Sequence, residues 1–254
     1  MPLLDRDGVR IHYEVHGKGP VVLLSHGYSA TSQMWRGQIA ALSKDHTLVT
    51  WDMRGHGRSD SPDDPARYSA EATVDDMAAL LDAVGAERAV IGGLSLGGYM
   101  SLMFHAKYPQ RVRALLILDT GPGFRKDEAR NGWNQQAART AERFEEEGMA
   151  KVNALREAST GGTHRSATGL ALAARGMLAQ RDGTVIESLP GIGVPSLIVV
   201  GADDTPFLQS AEVMAAKIPG AQKVVIPAAG HVANIDQPQA FNDAVLGFLN
   251  SLPA

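Results

Sequence analysis

The chain has 254 residues, of which 20% are charged and 44% hydrophobic, and its formal net charge is −4. These values are ordinary for a folded globular protein, and the dispersed basic residues exclude the positive stripe of a nucleic-acid-binding protein. The absence of cysteine excludes disulfides, thiolate catalysis and cysteine-ligated metal sites. No apolar run approaches a membrane-spanning length and no signal-peptide pattern opens the chain, so we expect a cytoplasmic protein that binds neither membrane nor nucleic acid.

The first part of the chain predicts alternating strands and helices. Residues 9–15 alternate between apolar and polar side chains, as in a half-buried strand, and continuous apolar runs predict buried strands at 21–24 and 48–51. Apolar residues at helical spacing predict a helix between Thr73 and Gly85, with Thr73 as its N-cap. This helix connects two strands, so we expect a parallel sheet with right-handed crossovers.

The same alternation continues through most of the remaining chain. A strand is expected at 88–91, followed by a helix that ends near Tyr108, because Pro109 disfavours helical geometry in the residue before it. Further strands are expected at 114–118, 195–200 and 223–226, and the pair Thr205-Pro206 predicts the start of another helix with Thr205 as N-cap. Residues 122–189 carry only helical patterns, which indicates a helical insertion.

The segment Gly93-Leu94-Ser95-Leu96-Gly97 lies between a predicted strand and a predicted helix. A G-x-S-x-G sequence in this position is typical of a sharp turn that strains the serine backbone, where small residues two positions before and after the serine avoid a clash. We therefore predict that the hydroxyl of Ser95 is exposed as a nucleophile.

Polar or glycine-containing segments follow four other predicted strands, at 25–28, 52–60, 201–204 and 230–231. Together with the serine turn, these segments resemble the α/β-hydrolase family, whose nucleophile, acid and histidine occur in this order. The resemblance covers nearly the whole chain. It implies an α/β fold with a mostly parallel, twisted, eight-stranded sheet flanked by helices, a core domain of residues 1–121 and 190–254, and a helical cap of residues 122–189.

The resemblance also implies a catalytic triad. A serine hydroxyl needs a neighbour that takes its proton, and histidine is suited to this near pH 7. His231 is favoured among eight histidines because it follows the final strand directly. For the acid that orients the imidazole, Asp204 is favoured over Asp203 because the family's acid lies three residues after the strand-ending glycine. Asp119, at the end of another strand, is a reserve candidate.

Family members stabilise the oxyanion with two backbone N–H groups, which correspond here to those of Tyr28 and Leu96. Three residues are candidates for the substrate pocket. His26 is expected to order its loop by hydrogen bonding and could also touch substrate, Trp35 either forms a pocket wall or packs in the core, and Trp133 is one of the larger apolar residues of the cap.

The charged loop at residues 52–60 lacks the ligand spacing of a metal site, and we interpret it as support for the serine turn. The glycines around Ser95 lack the acidic partner of a dinucleotide-binding fingerprint. We therefore expect neither a metal nor a cofactor.

These residues predict a serine hydrolase that cleaves carboxylic esters through an acyl-enzyme. Serine at the turn argues against dehalogenase and epoxide hydrolase chemistry, which needs a carboxylate nucleophile. Lactonase, thioesterase, perhydrolase and carbon–carbon bond hydrolase activities remain open on the same triad, as does a weakly catalytic ligand receptor. The cap lacks a broad apolar lid, so we expect a small ester or lactone with a short or medium acyl group, bound by a monomer or homodimer.

Overall fold

A computed structural model describes residues 2–154 and 163–253. In this part of the chain, eight strands form one sheet in the order β1-β2-β4-β3-β5-β6-β7-β8. Strand β2 pairs antiparallel with β1 and β4, and the remaining neighbours pair in parallel. The prediction of a mostly parallel eight-stranded sheet is confirmed. The strands are β1 Leu3–Arg6, β2 Val9–His16, β3 Val21–Ser25, β4 Thr47–Trp51, β5 Ala89–Leu94, β6 Val112–Leu118, β7 Ser196–Gly201 and β8 Gln222–Ile226.

Helices cover both faces of the sheet, because alternate side chains of the buried strands point in opposite directions. Along β3, Leu23 joins the apolar cluster on one face, whereas Val22 and Leu24 join the cluster on the other. The described helices are α1 Arg36–Leu42, α2 Ala70–Ala83, α3 Leu96–Lys107, α4 Asp127–Ala154, α5 Ala167–Ala173, α6 Thr184–Ser188, α7 Thr205–Lys217, α8 Ala233–Asp236 and α9 Pro238–Asn250. None of them has the length and apolar character needed to cross a membrane.

Helix α2 begins four residues before the position expected from the sequence. Its N-cap is Ser69, whose hydroxyl accepts a hydrogen bond from the Ala72 N–H at 3.0 Å. Thr73 lies within the helix, and its hydroxyl donates to the Ser69 carbonyl at 2.8 Å. The prediction of Thr73 as N-cap is wrong because the first turn, which contains Glu71, lies outside the apolar stripe used to locate the helix.

The segment between β6 and β7 contains α4, α5, α6 and a π-helical turn at Ala174–Leu178. A separate apolar cluster joins α4 to α5 through Ala141, Phe144 and Leu170, and Tyr28 of the core packs against this cluster. Residues 155–162 of the predicted cap lie outside the described residues.

The parallel strands bring the candidate site residues to one edge of the sheet. Ser95 follows β5, Asp119 follows β6, Asp204 follows β7 and His231 follows β8. Tyr28 lies beyond the end of β3, which is hydrogen-bonded in parallel to β5. The carboxyl ends of parallel strands are the usual position of a ligand site in an open α/β sheet.

Candidate active site

The turn between β5 and α3 holds Ser95 at φ 55° and ψ −114°, in the positive-φ region that side chains rarely adopt. A Cβ at Gly93 would lie 2.5 Å from the backbone carbon of Gly97, and a Cβ at Gly97 would lie 2.3 Å from the Ser25 carbonyl oxygen. Both positions therefore exclude larger residues. The tight turn leaves Ser95 only partly buried, at the wall of a large cavity.

His231 lies in that same cavity wall and is bonded to Asp204. The Nδ1 atom of His231 is 2.8 Å from Oδ2 of Asp204, whose side chain is 4% exposed. Asp204 therefore holds the imidazole in the tautomer that carries its proton on Nδ1, which makes Nε2 the nitrogen that can accept a proton from a nucleophile.

The other two candidate acids have different surroundings. Asp203 is exposed, and its N–H donates to the Ala229 carbonyl at 2.8 Å. Asp119 is buried, and its carboxylate accepts hydrogen bonds from the N–H groups of Gly201 at 2.8 Å and Ala233 at 3.4 Å. Burial raises the pKa of Asp119 to about 7, although the Gly201 hydrogen bond opposes this shift. Asp119 therefore connects the ends of β6 and β7 to the segment after His231.

Asp204 is also the N-cap of α7, one residue before the position expected from the sequence. Its side chain makes no capping hydrogen bond in the described chain, because the carboxylate is bonded to His231. The prediction of Thr205 as N-cap is wrong, because Thr205 is already the first residue of the helix. Helix propensity alone could not show that the carboxylate is used by another segment.

Two contacts that the sequence analysis missed hold the His231 loop. The Phe207 ring, one turn along α7 from Asp204, stacks on the imidazole with ring centroids 4.8 Å apart. The Gly230 N–H donates to Oδ2 of Asp236 at 2.8 Å. The position of Phe207, three residues after the acid at the start of a helix, is a signal that could have identified it.

The predicted oxyanion donors border the same cavity as Ser95. Leu96 is the first residue of α3, where backbone N–H groups have no partner inside the helix and the helix dipole favours negative charge. The Tyr28 hydroxyl donates to the Leu170 carbonyl of α5 at 2.7 Å. The Tyr28 side chain therefore joins the core to the cap.

The pocket prediction is wrong for His26 and Trp35, because neither side chain lines the cavity. His26 is fully buried, with Nδ1 donating to the Gly27 carbonyl at 2.7 Å and Nε2 accepting from the Met53 N–H at 2.9 Å. Trp35 is also fully buried and packs against Phe241, with ring centroids 6.4 Å apart. Both residues are structural, and the hydrogen bonds of His26 order the loop that contains Tyr28.

His26 belongs to a cluster of three buried histidines next to the loop that contains Tyr28. Its ring lies 4.9 Å from that of His56, which lies 5.7 Å from that of His164. His164 accepts from the Gly57 N–H at 3.1 Å and donates to the Ser29 carbonyl at 2.9 Å. Burial lowers the pKa of all three histidines, to about 4 for His26, so the cluster is neutral at pH 7.

The cavity has a volume of about 1000 Å³ and lies between the sheet edge and the cap. Trp133 lines it as predicted, and its Nε1–H donates to the Leu178 carbonyl at 2.8 Å. Other cap residues in the wall include Phe124 and Phe144. Among the described lining residues, Arg143 supplies a cation and none supplies a carboxylate. The site is thus a largely apolar chamber with a serine and an oriented imidazole in its wall.

Residues 20–164, more than half of the chain, match the family model described as alpha/beta hydrolase fold. The chain therefore belongs to this family, and the fold predicted from the sequence is confirmed.

Proteins similar over their whole length include several named hydrolases. The 3-oxoadipate enol-lactonase 1 of Acinetobacter baylyi is 28% identical, over 98% of this chain and 97% of that protein. The structure of a hydrolase from Pseudomonas aeruginosa aligns with a TM-score of 0.81 at 30% identity, covering 98% of both chains. A malate-bound thermophilic esterase from Thermogutta terrifontis aligns with a TM-score of 0.83 at 29% identity, covering 99% of this chain and 97% of the esterase.

Proposed function

We propose that this protein hydrolyses carboxylic esters or lactones of short or medium acyl chain length through Ser95, His231 and Asp204. The observation that carries this proposal is the 2.8 Å contact between His231 and Asp204 in a cavity that also exposes the strained Ser95. The coarser prediction, a hydrolase of carboxylic esters or lactones, is confirmed by the family and by relatives named as enol-lactonase and esterase.

In the proposed reaction, Ser95 Oγ attacks the carbonyl carbon while His231 Nε2 takes the hydroxyl proton. The resulting oxyanion accepts hydrogen bonds from the backbone N–H groups of Tyr28 and Leu96. His231 then returns the proton to the leaving oxygen, and the ester bond breaks to give an acyl-enzyme. A water molecule, deprotonated by His231, hydrolyses the acyl-enzyme and releases Ser95. A lactone follows the same steps, with acid and alcohol remaining in one product.

The cavity supports a small substrate. Its volume of about 1000 Å³ is at the upper end of pockets that bind small molecules. Phe124, Trp133 and Phe144, which all belong to the segment between β6 and β7, supply apolar walls. We therefore expect faster hydrolysis of short-chain aryl esters than of long-chain triglyceride emulsions.

Substitution of Ser95 tests the proposal directly. Ser95→Ala is expected to abolish labelling by a fluorophosphonate and to lower kcat for aryl acetates by at least about 10³-fold, because the nucleophile is lost. Ser251→Ala, at the exposed end of α9, is the matched control and should behave as the wild type. Retention of activity by Ser95→Ala, or faster hydrolysis of triglyceride emulsions, would contradict the proposal.

A further inference from the structure

The cap places the side chain of Gln180 in the cavity wall with unused hydrogen-bonding capacity. Gln180 is 8% exposed, and its Oε1 atom is buried without a hydrogen-bond partner among the residues that the structure describes. The residue lines both the main cavity and a smaller one of about 300 Å³. A buried polar atom without a partner destabilises a fold, so its presence requires an explanation.

Helix α4 fixes the backbone of this residue. The Gln180 N–H donates to Oδ1 of Asn134 at 2.8 Å, and Nδ2 of Asn134 donates to the Gln180 carbonyl at 2.7 Å. The adjacent Trp133 holds the Leu178 carbonyl. The carboxamide therefore projects from a rigid segment, as expected of a preorganised binding group.

The loop at 121–123 relates Gln180 to the catalytic residues. A Cβ at Gly123 would lie 2.7 Å from Oε1 of Gln180 and 3.2 Å from the Tyr99 ring. Tyr99 lies one helical turn after Ser95, with its N–H donating to the Ser95 carbonyl at 3.0 Å. A Cβ at Gly121, at the other end of the loop, would lie 3.8 Å from Phe207, the residue stacked on His231. One end of the loop therefore adjoins Phe207, which contacts His231, and the other end adjoins Gln180.

This arrangement assigns the two ends of a substrate. His231 must return its proton to the leaving oxygen, so the alcohol part lies at the His231 end and the acyl chain extends toward Gln180. Building on the proposed function, we propose that the Gln180 carboxamide binds an uncharged oxygen on the acyl chain, with Oε1 accepting a hydrogen bond from a hydroxyl or the Nε2–H group donating one to a ketone. The preferred substrates would then be oxo- or hydroxyacyl esters or lactones.

The surrounding charges favour a neutral group over a carboxylate. Arg143, the cation in the described cavity wall, lies nine residues beyond Asn134 on α4, about 14 Å along the helix. Two arginines near Gln180 are already paired, Arg130 with Asp127 and Arg181 with Glu71. With both of these arginines paired, the Gln180 carboxamide is suited to bind a neutral group, because it both donates and accepts hydrogen bonds.

Esters of equal chain length test this inference. The probes are 4-nitrophenyl hexanoate and its 4-oxo, 5-oxo and 5-hydroxy derivatives, and the readout is the ratio of kcat/KM for each polar ester to kcat/KM for the hexanoate. Gln180→Met keeps the side-chain length and removes both hydrogen-bonding groups. We expect it to lower the ratio about tenfold for the 5-hydroxy ester and for at least one oxo ester. Gln135→Met, on the exposed face of α4, is the matched control and should retain the wild-type ratios.

A second variant, Gln180→Glu, keeps a hydrogen-bond acceptor and removes the donor. It also provides a test if Gln180→Met does not fold. At pH 8 a carboxylate accepts but does not donate, so the oxo ratio should fall while the hydroxy ratio is retained. Unchanged ratios in a folded, active Gln180→Met or Gln180→Glu variant would overturn the inference and leave the proposed function intact. If the wild type hydrolyses none of the esters, both proposals fail.

Discussion

Asp203 and Asp204 are adjacent carboxylates with opposite surroundings. The side chain of Asp204 is buried against His231, whereas Asp203 is exposed and contributes a backbone hydrogen bond to the neighbouring loop. The difference arises because the chain turns from β7 into α7 at this point and directs successive side chains to different sides. The chemical role of each residue is therefore set by its position in the turn.

Matched substitutions separate the two residues. Asp204→Asn should lower kcat for aryl esters by about 10³- to 10⁴-fold, because the amide favours the wrong imidazole tautomer and does not stabilise the imidazolium. Asp203→Asn should change kcat less than twofold. Steady-state kinetics on both variants checks this prediction, and comparable losses, or a loss confined to Asp203→Asn, would contradict it.

The positions of the candidate site residues along the chain were predictable, whereas the packing around their side chains was not. The contact between His231 and Asp204 agrees with the order and spacing of the motifs, since both residues follow strands of one parallel sheet. The sequence left open whether His26 and Trp35 reach the pocket, because burial depends on packing against distant residues. The Trp35 ring meets Phe241 of α9, a contact that no local pattern encodes.

The elements of the cap are attached to the core by apolar packing, in which Met177 and Val185 join the main buried cluster, and by polar contacts. The hydrogen bond from Tyr28 to the Leu170 carbonyl joins residues 142 positions apart. The helical character of the described residues between β6 and β7 was predictable from the absence of strand-like runs, whereas this contact carries no sequence signal. The short edge strand β1 was also missed, because four residues are too few to establish a periodicity.

Removal of the Tyr28 hydroxyl should loosen the cap. Tyr28→Phe retains the ring and the backbone N–H and leaves the Leu170 carbonyl without its donor, at an expected cost of about 1 kcal/mol. Hydrogen exchange should increase for the amides of α5 more than for those of β5. Tyr13→Phe, on β2, is the control and should leave exchange in α5 unchanged. Equal protection of α5 in Tyr28→Phe and the wild type would show that the bond does not hold the cap.

The stability of the whole molecule depends on pH through its buried groups. An unfolded histidine titrates near pH 6.5, whereas burial lowers the pKa of His26 to about 4 and also lowers those of His56 and His164. Between pH 6.5 and 4 the unfolded chain therefore binds more protons at these rings, and the free energy of unfolding falls as the pH falls. Asp119 has the opposite effect: its pKa is raised to about 7, so the folded state binds more protons at this group and the free energy of unfolding rises as the pH falls.

As the pH falls, we expect the three histidines to lower the free energy of unfolding by more than Asp119 raises it. Urea denaturation should give a lower free energy of unfolding at pH 5.0 than at pH 7.5. The decrease should be smaller in His26→Gln, which removes a ring that must stay neutral, and larger in Asp119→Asn, which removes the opposing carboxyl. His16→Gln, at the half-exposed end of β2, serves as the control. Equal or higher stability of the wild type at pH 5.0 would contradict the expectation that the histidines dominate.

The contacts of Tyr28 have a consequence for the timing of catalysis. Tyr28, the residue proposed to donate its backbone N–H to the oxyanion, also donates its hydroxyl to the Leu170 carbonyl of α5, and its ring contacts Phe144 of α4. Displacement of the cap thus pulls on the loop that must stabilise the developing negative charge. We therefore expect a displacement of α4 or α5 that breaks these contacts to slow the acylation of Ser95. Acylating agents too large to be enclosed would modify Ser95 slowly even when they can reach it.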